Sequence, residues 1–261
     1  MLSRLQTEKL ARREGVPTRV IERDYVQHLL ARHVAEDPLV FKGGTCIRIA
    51  LGSPRFSEDM DFTARESSDV EAAVLGALKR LRDYGVAASL RRSRAEGGGW
   101  NAVVRYEGPL FTEDSRSAGS IRLEVSLRPE RLDVEEVFVS QARYPDLPQL
   151  VLRILRRDHI LAEKLRALII RSKPRDLFDV HFLMSRGVRC PPPLLAEKMR
   201  LYGRPFRLSD FDKAVKEAGA TWQRDLTGLL GQVPPHAAVA EQARRMVREA
   251  VVGPSRPGHQ A

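Results

Sequence analysis

Two aspartates separated by a single residue are the first feature of the chain that could carry chemistry. Asp59 and Asp61 lie in "DMDFT", where polar and apolar residues alternate as in a half-buried β-strand. On a strand their side chains point to the same face, about 6.6 Å apart along the chain. Neighbouring carboxylates repel unless a cation lies between them, and Mg²⁺ accepts such oxygen ligands. Two surface acids on a solvated strand edge would give the same pattern.

A glycine pair precedes the aspartates. A strand, Gly43, Gly44 and then a helix start would expose backbone N–H groups, and the missing Cβ atoms would let a phosphate approach. Thr45 adds a hydroxyl donor and is a suitable N-cap for a helix predicted over 46–51. A tight turn with positive φ would use the same glycines. Glycines and aspartates together predict a site for a nucleoside triphosphate and its magnesium.

A third carboxylate, Glu124, lies in "SIRLEVSL", the segment with the clearest alternation in the chain. If this strand lies beside "DMDF", Glu124 joins Asp59 and Asp61. Three carboxylates could hold one or two metal ions, or the third could act as the base for an attacking hydroxyl. The alternative is an exposed acid paired with Arg122 or Arg128.

The elements that must position these residues follow from hydrophobic spacing. Three segments have the apolar spacing of amphipathic helices: 3–14, 18–36 and 68–84. Strands are predicted at "PLVF", "DMDFT", "GVAASLRRSRA", "WNAVVRYEG" and "SIRLEVSL", and from about residue 147 the pattern is helical. We therefore expect an α+β protein with these parts: a mixed α/β domain at 1–145, an α-helical domain at 146–252 and a disordered tail at 253–261.

Composition limits the class of protein. A chain of 261 residues with 43% hydrophobic content can bury a sizeable core, and it has no run of about 18 apolar residues that would span a membrane. No apolar signal core begins the chain, and its two isolated cysteines suit a reducing compartment, so we expect a cytoplasmic protein. The net charge of +10 favours a polyanionic partner such as nucleic acid, although an arginine-rich proteome would also produce it. "RRSR" (91–94) fits a solvated strand edge, with RNA contact as the alternative.

The glycine and aspartate motifs, together with a later helical segment, resemble those of a known family. "KGGTCIRIALGSPRFSEDMDF" resembles the first motif of the AbiEii/AbiGii nucleotidyltransferase-like toxins, which belong with the MenT toxins to the DNA polymerase β-like nucleotidyltransferase superfamily. "VIERDYVQHLL" resembles the segment before that motif, and "ILAEKLRALIIRSKPRDLFDVHFL" resembles a later one. The resemblance covers residues 16–186 and implies a mixed-sheet nucleotidyltransferase domain followed by an α-helical domain.

The resemblance also implies roles for individual residues. It implies a nucleotide-binding set: Gly43, Gly44, Thr45, Arg55, Ser57 and Lys164. It implies a catalytic set: Asp59, Asp61, Glu124, Lys164 and Asp176. The implied metal ligands are Asp59, Asp61 and Glu124, for Mg²⁺ with Mn²⁺ as the alternative ion. Glutamate is one methylene longer than the aspartate often found at the third position, which leaves the direct metal role of Glu124 open.

The two residues of the helical half also have simpler interpretations. Lys164, matched to a lysine that contacts the phosphates of the nucleotide, suits a surface lysine whose stem lies along apolar residues. Asp176, the acid of an Arg-Asp motif, is followed by Asp179 at helical spacing. Asp176 could be a favourable charge in a first helical turn, or either acid could pair with Arg171 or Arg175.

The resulting prediction is a Mg²⁺-dependent nucleotidyltransferase toxin. It would transfer a nucleoside monophosphate from an NTP to an RNA acceptor, the tRNA 3′ end, which would block translation; a cognate antitoxin would be its partner, without any membrane. One alternative is a transferase that acts on a small molecule or a protein. A second is a phosphohydrolase of the haloacid dehalogenase class, since "DMDFT" resembles its Asp-x-Asp-x-Thr motif. A third is a catalytically inactive RNA-binding relative.

Overall fold

The chain divides into two compact units. A computed structural model describes these residues: 1–36, 38–65, 67–128, 130, 132–140, 143–144 and 146–252. The first unit comprises Met1–Leu155 and Gly228–Gly231, and the second comprises Arg156–Thr227 and the described residues from Gln232 onward. The tail predicted at 253–261 lies outside the described residues. None of the helices in the described ranges has both the length and the apolar character needed to cross a bilayer.

The first unit combines helices with one mixed sheet. Its helices are α1 (Arg4–Glu14), α2 (Thr18–Val34), α3 (Gly43–Ile49) and α4 (Val70–Leu81). Its strands are β1 (Val40–Lys42), β2 (Met60–Thr63), β3 (Ala87–Glu96), β4 (Gly99–Glu107), β5 (Gly119–Ser126), β6 (Val134–Val139) and β7 (Leu150–Leu155). They form a seven-stranded sheet in the order β3-β4-β5-β2-β1-β7-β6. The pairs β2/β5 and β1/β7 are parallel and the others antiparallel, so the expected mixed sheet is present.

The sheet buries one face of its central strands. Along β5, Ile121, Leu123 and Val125 are buried while the intervening residues face outward, as the alternation predicts. Helices α2 and α4 pack on each other, and they also contact β5 and β3 respectively. This packing leaves the other face of β3, β4 and β5 exposed.

The prediction of helix from residue 147 onward is wrong for β7. Leu150, Leu152 and Ile154 are buried in alternation, and Val151 between them is 56% exposed. β7 pairs with β1 through Phe41 and Ile154 and along its length with β6. The first unit therefore extends to Leu155 rather than to residue 145. A short apolar run suits either a helix or a strand, and here distant pairing partners decide for the strand.

Helix α2 is buried around most of its circumference, not only along one apolar stripe. Its buried residues include Glu22, Asp24 and Gln27 as well as apolar side chains. Each of these three side chains makes at least one hydrogen bond inside the first unit. Burial of polar side chains is tolerated where such bonds replace water, so α2 combines core packing with polar contacts.

The second unit is helical. Its helices are α5 (Arg157–Arg171), α6 (Pro174–Ser185), α7 (Pro192–Arg200), α8 (Leu208–Ala218), α9 (Trp222–Leu226) and α10 (His236–Val252). α6 begins with Pro174 at its first position, where the missing N–H is not needed. Leu161, Leu165 and Leu168 of α5 are buried with Leu177 and Val180 of α6, so these two helices share a core.

Candidate active site

Strand register places Asp61 and Glu124 side by side. Asp61 of β2 pairs with Glu124 of β5, while Lys42 of β1 pairs with Asp61 from the other side. Asn101 of β4 completes the row opposite Glu124. Residues in register on neighbouring strands point to the same face, with about 4.8 Å between strands. Two acidic side chains, a lysine and an amide therefore form a polar row across the sheet.

Asp59 lies just before β2, on the same side of the chain as Asp61. Its carboxylate lies 3.7 Å from Nε of Arg122, and its side chain is 31% exposed. Arg122, the alternative partner that the sequence offers Glu124, lies against Asp59 instead. The pairing offsets part of the repulsion between Asp59 and Asp61, and both side chains are half-buried.

The glycine turn is packed directly against Asp61. Gly43 has φ of 75°, which L side chains rarely adopt, and a Cβ there would lie 2.6 Å from Cγ of Asp61. A Cβ on Gly44 would lie 2.7 Å from a guanidinium nitrogen of Arg55 and 2.9 Å from Oγ of Ser57. Both glycines thus bring backbone within reach of the predicted site residues, as a phosphate cradle would require.

Arg55 and Ser57 lie at the loop that leads to Asp59. Arg55 is 2% exposed, and its guanidinium donates to the carbonyl of Phe56 at 2.9 Å. Gln27 of α2, which was not among the predicted site residues, donates its amide to the carbonyls of Ser57 and Glu58 at 3.3 and 3.1 Å. The loop is therefore fixed through its backbone by buried side chains, and the one signal in the sequence was a polar residue next to the apolar positions of a helix.

Thr45 does not cap α3, contrary to the prediction. The helix begins at Gly43 and its N-cap residue is Lys42, because positive φ at Gly43 lets the chain turn directly into the helix. The hydroxyl of Thr45 instead donates to the carbonyl of Asp59. This bond ties the start of α3 to the strand that carries the aspartates, so Thr45 positions the carboxylate pair.

A buried polar cluster anchors α3 to α2. Nε of Arg48 donates to Asp24 at 3.1 Å, and the hydroxyl of Tyr144 donates to the same carboxylate at 2.7 Å. Arg48 also donates to the carbonyl of Ser53 at 2.8 Å. Burial lowers the pKa of His28 below its usual value, and the Asp24 carboxylate opposes that shift only in part. These contacts hold the helix that follows the glycine turn.

The donor set around Asp61 fits a hard divalent cation. Asp59, Asp61 and Glu124 offer carboxylate oxygens, which Mg²⁺ and Mn²⁺ prefer. Within the described residues, however, no three His, Cys, Asp or Glu side chains are already gathered as closely as metal ligands. Mg²⁺ in nucleotide sites is commonly held by one or two carboxylates together with water and substrate phosphates. The sheet therefore suits a metal that arrives with a nucleotide.

The predicted residues of the second unit form a buried ionic cluster. Nζ of Lys164 lies 2.8 Å from Asp179 and 3.5 Å from Asp176, and both aspartate side chains are fully buried. Arg171 pairs with Asp176 through two nitrogens, at 2.6 and 2.8 Å. The ion pair between Asp176 and Arg171 that the sequence allowed is therefore present. Lys164 is only 11% exposed, so its side chain is held by carboxylates rather than by solvent.

Comparison with known proteins places the chain among nucleotidyltransferases. The sequence profile of a family described as nucleotidyl transferase AbiEii toxin, type IV toxin–antitoxin system, matches residues 24–248. MenT4, a nucleotidyltransferase toxin from Mycobacterium tuberculosis, is similar in structure at 23% identity and a TM-score of 0.67, over 94% of this chain and 88% of that one. JHP933 from Helicobacter pylori is similar at 23% identity and a TM-score of 0.61, over 89% of this chain and 92% of that one. At this identity the structural likeness shows the fold. A comparison with curated proteins finds no match.

Proposed function

The chain belongs to the AbiEii nucleotidyltransferase toxin family, and on that premise we propose that it transfers a nucleoside monophosphate from an NTP to an RNA hydroxyl. Membership of a type IV toxin–antitoxin family also supplies an antitoxin as partner. The proposal adds Mg²⁺ dependence, the tRNA 3′ end as acceptor, blocked translation as the consequence and the cytoplasm as the place of action.

One observation carries the proposal. Asp61 lies in register with Glu124 on one side and packs against Gly43 on the other. Carboxylates for a cation therefore adjoin a turn whose bare backbone can approach a triphosphate. Sequence separation between these groups is large, so their meeting is a property of the fold.

The proposed reaction is a nucleophilic displacement at the α-phosphorus of the NTP. The oxygen of the acceptor hydroxyl forms a bond to the α-phosphorus, the bond to the bridging oxygen breaks, and pyrophosphate leaves with its electron pair. Glu124, exposed at the end of the carboxylate pair, accepts the proton of the hydroxyl. Asp59 and Asp61 would hold the divalent ion, which when bound would bridge them to the triphosphate and neutralise charge on the phosphates and the leaving group.

The remaining roles concern the nucleotide. The backbone of Gly43, Gly44 and Thr45 contacts the phosphates, and Arg55 and Ser57 hold the loop beside Gly44. The roles of Lys164 and Asp176 in catalysis rest on their match to the family motif alone. Within the second unit both are engaged in the ionic cluster, so a phosphate contact by Lys164 competes with its two carboxylate partners.

The test is nucleotide transfer with the full chain. Labelled NTPs, Mg²⁺ and total RNA should give labelled tRNA, and Asp61→Asn should lower the rate at least about 10²-fold because one charged ligand is lost. Asp83→Asn, an exposed aspartate on a short helical turn, is the matched control and should retain the rate. Induced expression should arrest growth, and Asp61→Asn should relieve the arrest.

Other outcomes would redirect the proposal. Label that enters a small molecule or a protein, with none in RNA, would replace the acceptor. Phosphate release from a generic ester without NTP consumption would favour the phosphohydrolase. RNA binding without any transfer would favour an inactive relative. Transfer that survives Asp61→Asn unchanged would refute the site.

A further inference from the structure

A β-bulge turns two arginines of the edge strand to the same face. Arg91 pairs with Val103 and Arg94 pairs with Asn101, so β3 has one residue more than β4 between these pairs. In a regular strand, residues three apart point to opposite faces. The bulge contains Arg92 with φ of 53°, an unfavourable conformation for this residue. The sheet thus accepts local strain in an arrangement that places Arg91 and Arg94 side by side.

These arginines continue the row that contains the carboxylates. Val103 pairs with Arg122 of β5, and Asn101 pairs with Glu124. With Arg105 of β4, they form an arginine surface made of Arg91, Arg94, Arg105 and Arg122. Arg91 and Arg94 are exposed, and the side chain of Arg122 is 61% exposed. The surface runs from the sheet edge at β3 to Asp59 and Asp61, three strand spacings or about 14 Å.

The charge and shape of this surface indicate what it binds. Guanidinium groups match phosphates well, and a surface about 14 Å long can contact several successive phosphates of one strand. Trp100 and Tyr106 of β4 are buried on the opposite face, so they are not available for stacking with bases. Recognition here would act on the backbone and tolerate different base sequences.

We propose that the arginine surface binds the phosphodiester backbone of the single-stranded end of the acceptor RNA and leads its terminal hydroxyl to Asp61 and Glu124. The inference rests on the proposed function, because only an acceptor that reacts at its end needs to cross β3, β4 and β5 to reach the carboxylates. An acidic protein partner would fit the charge but would not require a path that ends at the reacting groups.

The experiment measures binding separately from catalysis. Short fluorescent single-stranded oligo(A) and oligo(U) RNAs are titrated with the full chain between about 50 and 200 mM salt. Arg91→Gln combined with Arg94→Gln should weaken binding at least about tenfold at the lower salt and reduce the salt slope by about 1.4. Lys79→Gln combined with Arg82→Gln removes the same charge from exposed positions at the end of α4 and should change affinity less than about twofold. Both RNAs should bind within about threefold of each other.

Several results would overturn the inference. The first is an equal loss of RNA affinity in the two double variants, and the second is an unchanged salt slope in the arginine variant. The third is a loss of affinity for poly-glutamate, titrated in the same way, without a loss for RNA, which would indicate an acidic protein partner. Thermal melts of both variants show whether folding is intact. Because both double variants remove the same charge, their comparison separates a local effect of the arginine surface from an effect of net charge. If no nucleotide transfer occurs but the arginine variant still binds RNA more weakly than the control variant, the proposed function is refuted and the RNA-binding surface remains supported. Transfer to RNA with unchanged binding in the arginine variant would refute only the surface.

Discussion

Replacement of Gly43 by alanine should disable the site while leaving the protein folded. The residue has φ of 75°, where an L side chain costs roughly 1–2 kcal/mol. A Cβ would also lie 2.6 Å from Cγ of Asp61, whereas carbon atoms in contact are separated by about 3.5–4.0 Å. The Asp61 carboxylate must therefore move by roughly 1 Å, and a shift of that size in a reacting group can lower the rate about 10²-fold. That loss corresponds to about 2.7 kcal/mol of transition-state stabilisation.

Gly52→Ala is the matched control. Gly52 has the same φ of 75°, but a Cβ there would meet nothing within 4 Å. Backbone strain should therefore be similar in the two variants, and Gly43→Ala should lose about 0.5–1.5 kcal/mol more stability because Asp61 leaves its preferred rotamer. Urea unfolding measures the stabilities, and transfer of labelled nucleotide measures the rates. Only Gly43→Ala should lose activity.

A double-mutant cycle identifies the contact responsible. Asp61→Gly removes the atoms that the new Cβ would meet, so in that background Gly43→Ala should cost no more stability than Gly52→Ala in the native chain. The reasoning fails if Gly43→Ala and Gly52→Ala lose activity equally, or if the extra loss of stability persists without the Asp61 side chain.

Three further predictions concern buried ionisable groups. Lys164→Met should lower the free energy of unfolding by about 3–5 kcal/mol, because two fully buried carboxylates lose a cationic partner. Lys213→Met, at an exposed ion pair, should change it by less than about 1 kcal/mol. Equal urea midpoints of the two variants would contradict this prediction. The lowered pKa of His28 means that the unfolded chain binds more protons below pH 6.5, so stability should fall as pH drops below that value. His28→Gln should flatten that dependence, and an identical pH profile would show that His28 is not its source. Burial, aided by the Asp158 charge, raises the pKa of the Cys190 thiol from 9.0 to about 12, so alkylation at pH 8 should be about 10³-fold slower than in urea by mass spectrometry. Rapid labelling of the folded chain would refute that assignment.

Several features depended on neighbours in the chain and were readable from the sequence. Alternation in "SIRLEVSL" predicted a strand that buries Ile121 and exposes Glu124, and β5 has that pattern. The glycine pair allowed a tight turn with positive φ as an alternative to a phosphate cradle, and Gly43 adopts positive φ. Family motifs identified a nucleotidyltransferase, and the match over residues 24–248 confirms it. Hydrogen bonds within a turn and the period of a strand are local, so a single sequence carries them.

Only the tertiary structure decided which side chains meet. Register between β2 and β5 placed Glu124 beside Asp61, and the bulge in β3 turned Arg94 to the face of Arg91. Polar residues inside helices, such as Gln27, took their roles from partners far away in the chain. Strand order and burial arise from packing across long sequence separations, and the period of one segment does not contain that information. The sequence therefore predicted the candidate reactive groups, whereas the sheet determined their arrangement.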